Sequence, residues 1–213
     1  ILLLDEKFNQ AIIYYAQIED DLANNQIAHE AGLKMAKASY YKGDFEWAQK
    51  QFTVLKSSTS QLIANDSMEL FLLISDNTVE DSTQVALKKF AKADFLAYQN
   101  KNAEALQLFE TILTQHKGEK ITAVTLLRIG KLYEKQNNFP QALNYYQQII
   151  DQYAEEIYID EALFFSAEIY RKQLPDIAKA KTYYEKIIFS HEDSIYFVEA
   201  RNNYRKMRGD TNL

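Results

Sequence analysis

Apolar residues recur along this chain at a spacing that places them on one face of an α-helix, and one short pattern is repeated five times. In each copy an alanine is followed four residues later by an aromatic residue, and three residues after that by isoleucine or leucine. The five alanines are Ala11, Ala48, Ala105, Ala142 and Ala180, which lie 37, 57, 37 and 38 residues apart. A period of this size predicts stacked helix pairs in place of one globular core.

The repeated unit is clearest at residues 119–154. Its first half has a broad apolar face at helical spacing, and its second helix carries Pro140 in the first turn, where the missing N–H removes no hydrogen bond. Gly130 and Ala142 occupy facing positions of the two helices, and such small residues let antiparallel helices approach closely. Glycine in a helix interior costs about 1 kcal/mol relative to alanine, so we expect a packing reason for Gly130.

The remaining chain follows the same pattern with two exceptions. We predict helix pairs at 26–57, 80–116 and 157–189, and a second helix without its partner at 5–23. Aromatic residues of the repeated pattern, such as Tyr146 and Tyr184, are predicted to pack in the core. An extra helix within 59–79 interrupts the two-helix alternation, and we expect a kink or a boundary between sub-arrays there.

The predicted organisation has about eleven helices. The last one covers about 194–208, begins at a Ser194 cap and ends in basic residues that suit the helix dipole. The segments are N-terminal repeats at 1–58, the irregular helix at 59–79, three repeats at 80–193, and a capping helix with a tail at 194–213.

Residues 41–48, Tyr-Lys-Gly-Asp-Phe-Glu-Trp-Ala, resemble the turn and second helix of a tetratricopeptide repeat. The chain departs from that family in its period, which is 37 residues against a usual value of about 34. It also carries Trp47 in a second helix and Asn102 where the family has an aromatic residue. The resemblance implies an all-α, right-handed superhelical α-solenoid of antiparallel helix pairs. It further implies a noncatalytic scaffold that binds a peptide or a partner helix in a concave groove.

Two linkers, at 155–162 and 190–200, resemble those of bacterial envelope-associated tetratricopeptide proteins of the outer-membrane assembly lipoprotein and Tol-Pal coordinator types, although both lack the usual proline. This resemblance implies a periplasmic or cell-envelope location. Because the chain starts inside a repeat and without Met, we expect it to be the C-terminal part of a larger protein.

Composition narrows the function classes. The net charge of −6 argues against nonspecific nucleic-acid binding, which needs a basic face. There is no cysteine, and no apolar run approaches the length of a transmembrane helix. The three histidines, His29, His116 and His191, lie in different repeats, and the glycines form no phosphate-binding loop. We therefore predict no catalytic, metal or cofactor site.

In the resembled family the first helices of the pairs line the concave groove, where we expect aromatic anchors within a charged rim. The aromatic candidates are Tyr40, Tyr41, Phe90, Tyr98 and Phe164, and the charged candidates are Lys37, Asp94, Lys131, Glu168 and Arg171. The alternative for each is burial against a neighbouring helix. Apolar residues stand where the family's chaperone-tail clamp needs polar ones, so that ligand is not expected.

Two other functions stay open at this point. A glycan or small-ligand receptor would need a compact cluster of exposed Tyr and Trp, and Trp47 is expected to face away from the groove. A self-assembling structural element, and hence a homo-oligomer, would use exposed end helices, above all the helix at 5–23.

Overall fold

The computed structural model describes residues 1–22, 25–78 and 83–210, and within these ranges it contains eleven α-helices and no strand. The helices are α1 Phe8–Asp21, α2 Gln26–Lys42, α3 Phe45–Leu55, α4 Gln61–Thr78, α5 Val85–Tyr98, α6 Asn102–Gln115, α7 Ile121–Lys135, α8 Phe139–Gln152, α9 Ile159–Lys172, α10 Ile177–Ser190 and α11 Phe197–Arg208. The predicted all-α fold of helix pairs is confirmed. The predicted boundary at residues 79–80 and the tail at 211–213 lie outside the described residues.

The chain forms two compact units, Ile1–Ile121 and Thr122–Leu213, which are described separately. In the first unit α1 packs on α2, α2 on α3, and α5 on α6. In the second unit α9 packs on α8 and α10, and α10 packs on α11. The right-handed superhelix stays a prediction.

The repeated alanines lie in the core, as the pattern predicts. Ala48, Ala105, Ala142 and Ala180 are fully buried, and so are the aromatic residues four positions later. The first copy differs, because its aromatic residue, Tyr15, is only half-buried and its Ile18 is exposed, while Ala11 is buried against α2. In the other four copies both the alanine and its aromatic residue are buried, so the small residue lets the paired helices pack closely.

Gly130 has the expected packing reason, but its close neighbour is a tyrosine. A Cβ built on Gly130 would lie 2.8 Å from Cδ1 of Tyr146 and closer still to Cε1. The ring of Tyr146 therefore occupies the space that a side chain at 130 would need. The group nearest to Gly130 is therefore this ring, whereas the sequence pattern predicts that Gly130 faces Ala142.

The extra helix α4 forms over Gln61–Thr78 and packs against α3, with further contacts to α2 and α5. Its apolar stripe, Ile63, Leu70, Leu73 and Ile74, is buried. Because α2 and α5 also contact each other directly, α4 is accommodated beside α3 without separating these two helices. The kink or sub-array boundary expected at 59–79 stays a prediction.

Helix ends follow the predicted turn chemistry with one exception. Pro140 lies in the first turn of α8, and Gly43 ends α2 in the left-handed conformation with φ 87°. The predicted Ser194 cap is wrong, because α11 begins only at Phe197. The Ser194 hydroxyl instead accepts a hydrogen bond from the Tyr196 N–H at 3.2 Å, within the turn before the helix.

Candidate functional site

Four of the five charged candidates, all except Arg171, occupy one repeated position of the first helices. Each comes directly after the small residue that packs against the second helix, and the sign alternates along the chain: Lys37, Asp94, Lys131 and Glu168. Lys37 Nζ lies 2.7 Å from Asp66, and Lys131 Nζ lies 3.1 Å from Glu161. The predicted rim charges are thus bonded inside the chain, which orders their side chains and reduces the charge they offer a partner.

In the first unit, two aromatic candidates are core residues. Tyr40 and Phe90 are fully buried, Tyr40 donating its hydroxyl to Asp94 at 3.0 Å and Phe90 packing on Phe109 at 5.2 Å between ring centroids. This placement corrects the expectation for both rings, since neither lies on an accessible surface. Each ring points from its first helix towards a neighbouring helix, and periodicity alone does not distinguish that direction from the groove.

The other two aromatic candidates of this unit form an accessible pair. Tyr98 is 46% exposed, and its ring lies 5.7 Å from the half-buried ring of Tyr41. Behind them Phe95 lies 5.1 Å from Tyr41 and is almost fully buried. The pair therefore presents accessible aromatic surface that packs on a buried ring.

In the second unit, Glu168 is the centre of a buried polar network. It is only 6% exposed and accepts hydrogen bonds from Arg171 at 2.8 Å and from Asn203 at 3.2 Å. Lys172 and the hydroxyl of Tyr184 also contact its carboxylate. Burial acts to raise the pKa of Glu168, but these hydrogen bonds outweigh it and hold the pKa below its usual range. The network ties α9, α10 and α11 together.

Glu134 lies near this network, but the pKa of its carboxylate is shifted in the opposite direction. Its carboxylate accepts a hydrogen bond from Tyr146 at 2.9 Å. Burial raises the pKa of Glu134, by more than the Tyr146 hydrogen bond and the charge of Lys131 lower it. Burial also raises the pKa of the Tyr146 hydroxyl well above its ordinary value, with the Glu134 charge adding to the effect. Glu134 is therefore a carboxylate that would gain from a further cationic or hydrogen-bonding partner.

A cleft of about 300 Å³ lies between α7, α9 and α11, and we call it the α9 cleft. Its apolar lining is Phe164, Phe165 and Ile169, and its polar lining is Glu134, Glu168, Lys172, Gln173 and Glu199. The ring of Phe164 stacks on Tyr196 with centroids 4.5 Å apart, and Lys131 Nζ lies 5.2 Å from the ring centroid of Phe165. The volume suits one or two side chains of a partner better than a drug-sized molecule.

Of the predicted site residues, the structure places Phe164 and Glu168 in the lining of the α9 cleft, with Lys131 beside Phe165 and Arg171 beside Glu168, while sequence reasoning missed the other lining residues. Glu134 stands 37 residues before Arg171, so the repeat register links it to a residue already in the candidate set. Glu199 stands 38 residues after Glu161, which is not in the candidate set. The register was therefore a usable signal for Glu134 and not for Glu199.

The described residues show no arrangement that indicates chemistry. No three of their His, Asp or Glu side chains converge as metal ligands. His116 lies 3.0 Å from Glu119 and 3.3 Å from Lys89 Nζ, and His191 lies 2.9 Å from Asp160. None of the described helices combines the length and the apolar character that crossing a membrane requires.

Comparison with known proteins bears on the middle of the chain. Residues 84–155 match the family model described as tetratricopeptide repeat, over about a third of the sequence, and the match covers α5 to α8. Together with the helix pairs, this match supports a tetratricopeptide-like α-solenoid. Repeats of this kind generally mediate protein–protein interaction and are typically noncatalytic scaffolds. No curated protein matches the chain at a significant level.

Proposed function

We propose that this chain is a noncatalytic interaction scaffold that binds a peptide segment or a helix of a protein partner at the α9 cleft. The observation that carries the proposal is the combination of apolar and polar lining in one recess. The half-buried Phe165 supplies the accessible apolar surface, with the buried Phe164 and Ile169 behind it, while Glu134 and Glu199 supply carboxylates at its edge. Within the described residues the Glu199 carboxylate makes no hydrogen bond or ion pair, and the Glu134 carboxylate is hydrogen-bonded only to Tyr146.

The α9 cleft offers a partner two kinds of contact, one apolar and one charged. An apolar partner side chain fully buried against Phe165 would contribute about 1.5–3 kcal/mol. The exposed charge of Glu199 lies at the rim, where charges act mainly on the rate of association and on the choice of partner. The Glu168 network keeps α9 and α11 in a fixed relation, so the recess is formed before a partner arrives.

Site-specific photocrosslinking in the native host tests the proposal. A photoreactive amino acid replaces Gln173 in the α9 cleft in one version of the full-length protein, and Asn144 on the exposed side of α8 in a matched version. We expect a discrete crosslinked partner from position 173 and none from position 144. Charge reversal by Glu199→Arg should reduce the crosslink, whereas Glu192→Arg, in the exposed linker before α11, should leave it unchanged.

Two results would refute this function. One is identical crosslinking from positions 173 and 144, which would mean that the cleft is not the contact surface. The other is a crosslink from 173 that Glu199→Arg and Glu192→Arg reduce equally, because the effect would then reflect overall charge.

A finer proposal concerns location: we propose that the chain is part of a bacterial envelope-associated protein. It is supported only by the resemblance of the linkers at 155–162 and 190–200. Protease treatment of spheroplasts tests it, since an envelope protein is digested while a cytoplasmic marker survives. Survival of the full-length protein alongside that marker would refute the envelope assignment.

A further inference from the structure

A second cleft, in the first unit, is rimmed by lysines that no repeat pattern singles out. It measures about 340 Å³ and lies between the start of α1, the end of α2 and one side of α5. Its apolar lining is Phe8, Tyr41, Phe95 and Leu96, and its charged lining is Lys42, Lys88, Lys92 and Glu6. We call it the lysine cleft.

The charge balance of the lysine cleft is opposite to that of the chain. Three lysines and one glutamate line it, in a protein with a net charge of −6. All three lysines are exposed, and within the described residues the ammonium groups of Lys42 and Lys92 make no hydrogen bond or ion pair. Lys88 Nζ donates to the Thr83 carbonyl at 3.2 Å, a contact that leaves its charge unneutralised.

The lysines are held near one another by the fold. Lys88 and Lys92 are four residues apart on α5 and so lie on the same side of the helix, where like charges repel. The end of α2 lies close to them, because a Cβ built on Gly43 would be 3.9 Å from Cγ of Lys88. An anionic group in the cleft would relieve this repulsion, and no described carboxylate other than Glu6 lines it.

The apolar lining is closely packed and partly accessible. The ring of Phe95 lies 5.1 Å from both Phe8 and Tyr41, measured between centroids, and is almost fully buried. Phe8, Tyr41 and Leu96 are half-buried, so they leave some apolar surface facing the cleft. A small anion alone would contact the lysines and leave this apolar surface exposed to water.

We infer that the lysine cleft binds an acidic segment of a protein partner, with Asp or Glu carboxylates at Lys42, Lys88 and Lys92 and an apolar side chain on Phe8, Tyr41 and Leu96. A nucleic acid is a poorer fit, because its phosphate backbone needs an extended basic track and the chain as a whole is acidic. The site lies in the first unit, so it is independent of the function proposed for the α9 cleft.

Fluorescence anisotropy with a defined probe tests the inference. The probe is a fluorescein-labelled peptide in which Asp and Glu alternate with Leu and Phe, and its comparison is the same peptide with Asn and Gln. We expect the whole chain to bind the acidic peptide at least about tenfold more tightly than the neutral one. The combined change Lys88→Glu with Lys92→Glu should weaken binding by about tenfold or more, and added salt should weaken it in the unaltered protein.

The matched control is Lys34→Glu with Lys117→Glu, which reverses the same number of exposed charges in the same unit away from the cleft. It should change the affinity by less than about twofold. A neutral pair, Lys88→Met with Lys92→Met, preserves helix formation and should also lose binding while its thermal unfolding matches that of the unaltered chain.

Three outcomes would overturn the inference. The first is no saturable binding of the acidic peptide, and the second is equal loss in the cleft and control variants. The third is binding to phosphatidylserine vesicles without binding to the peptide, which would assign the lysines to a membrane surface.

Discussion

Replacing Gly130 by alanine is expected to destabilise this protein, although the same change usually stabilises a helix. The added methyl group would lie 2.8 Å from Cδ1 of Tyr146, whereas carbon atoms in contact stand about 3.5–4.0 Å apart. The ring has little room to withdraw. Tyr146 is fully buried, its hydroxyl is bonded to Glu134 at 2.9 Å, and its ring faces Phe165 with centroids 6.0 Å apart.

The magnitude follows from two opposing terms. Alanine gains about 1 kcal/mol over glycine in a helix interior. Overpacking a filled core costs about 1–3 kcal/mol. Because the distance to the buried ring is so much shorter than a normal carbon–carbon contact, we expect a cost in the upper half of that range. We therefore expect Gly130→Ala to lower the free energy of unfolding by about 1–2 kcal/mol.

Urea denaturation followed by far-UV circular dichroism measures this difference, and Gly32→Ala is the matched control. A Cβ on Gly32 would meet Oε1 of Glu19 at 2.9 Å, but that carboxylate is the end of a flexible side chain and can rotate away. Gly32→Ala should therefore be neutral or stabilising by up to about 1 kcal/mol. If Gly130→Ala stabilises the chain as Gly32→Ala does, Tyr146 does not limit the approach of α7 and α8 and the packing argument fails.

Three further predictions concern polar groups. Glu168→Gln should lower the free energy of unfolding at pH 7 by about 2–3 kcal/mol, because it removes a buried charge that several hydrogen-bond donors share. Since the pKa of Glu168 is lowered in the folded state, the stabilisation that its carboxylate provides is present at neutral pH and is lost as pH falls below about 5. Glu134→Gln should raise the free energy of unfolding at neutral pH, because the raised folded pKa of Glu134 means that ionisation disfavours the folded state as pH increases. Asp176→Ala should cost about 1 kcal/mol through loss of the cap on α10, where Oδ1 accepts the Lys179 N–H at 3.1 Å. Urea titrations across a pH series measure all three.

These predictions have their own controls and contrary results. Lys101→Ala should change stability by less than about 0.5 kcal/mol, because Lys101 precedes α6 without a side-chain cap hydrogen bond. An equal loss from Asp176→Ala and Lys101→Ala would contradict the capping argument. Parallel pH profiles for Glu168→Gln and the unaltered chain would show that the Glu168 carboxylate is not the titrating group. A loss of stability at pH 7 from Glu134→Gln would contradict the sign derived from burial.

The sequence by itself determined the helix pairs and their contacts at the small-residue positions. Ala48, Ala105, Ala142 and Ala180 are buried as predicted, since the small residue and the aromatic residue four positions later recur at helical spacing. The extra helix could be placed for the same reason, because it carries its own apolar stripe. These features depend on local periodicity and on contacts between consecutive helices.

Only the tertiary structure decided which candidate side chains reach a surface. Tyr40 and Phe90 belong to first helices as predicted, yet they point into the core, while Glu134 and Glu199 come to one cleft with Phe164. Lys131 pairs with Glu161, which is 30 residues away on another helix. Such contacts depend on how each helix is rotated and shifted along its neighbour, and a residue pattern along one helix does not contain that information.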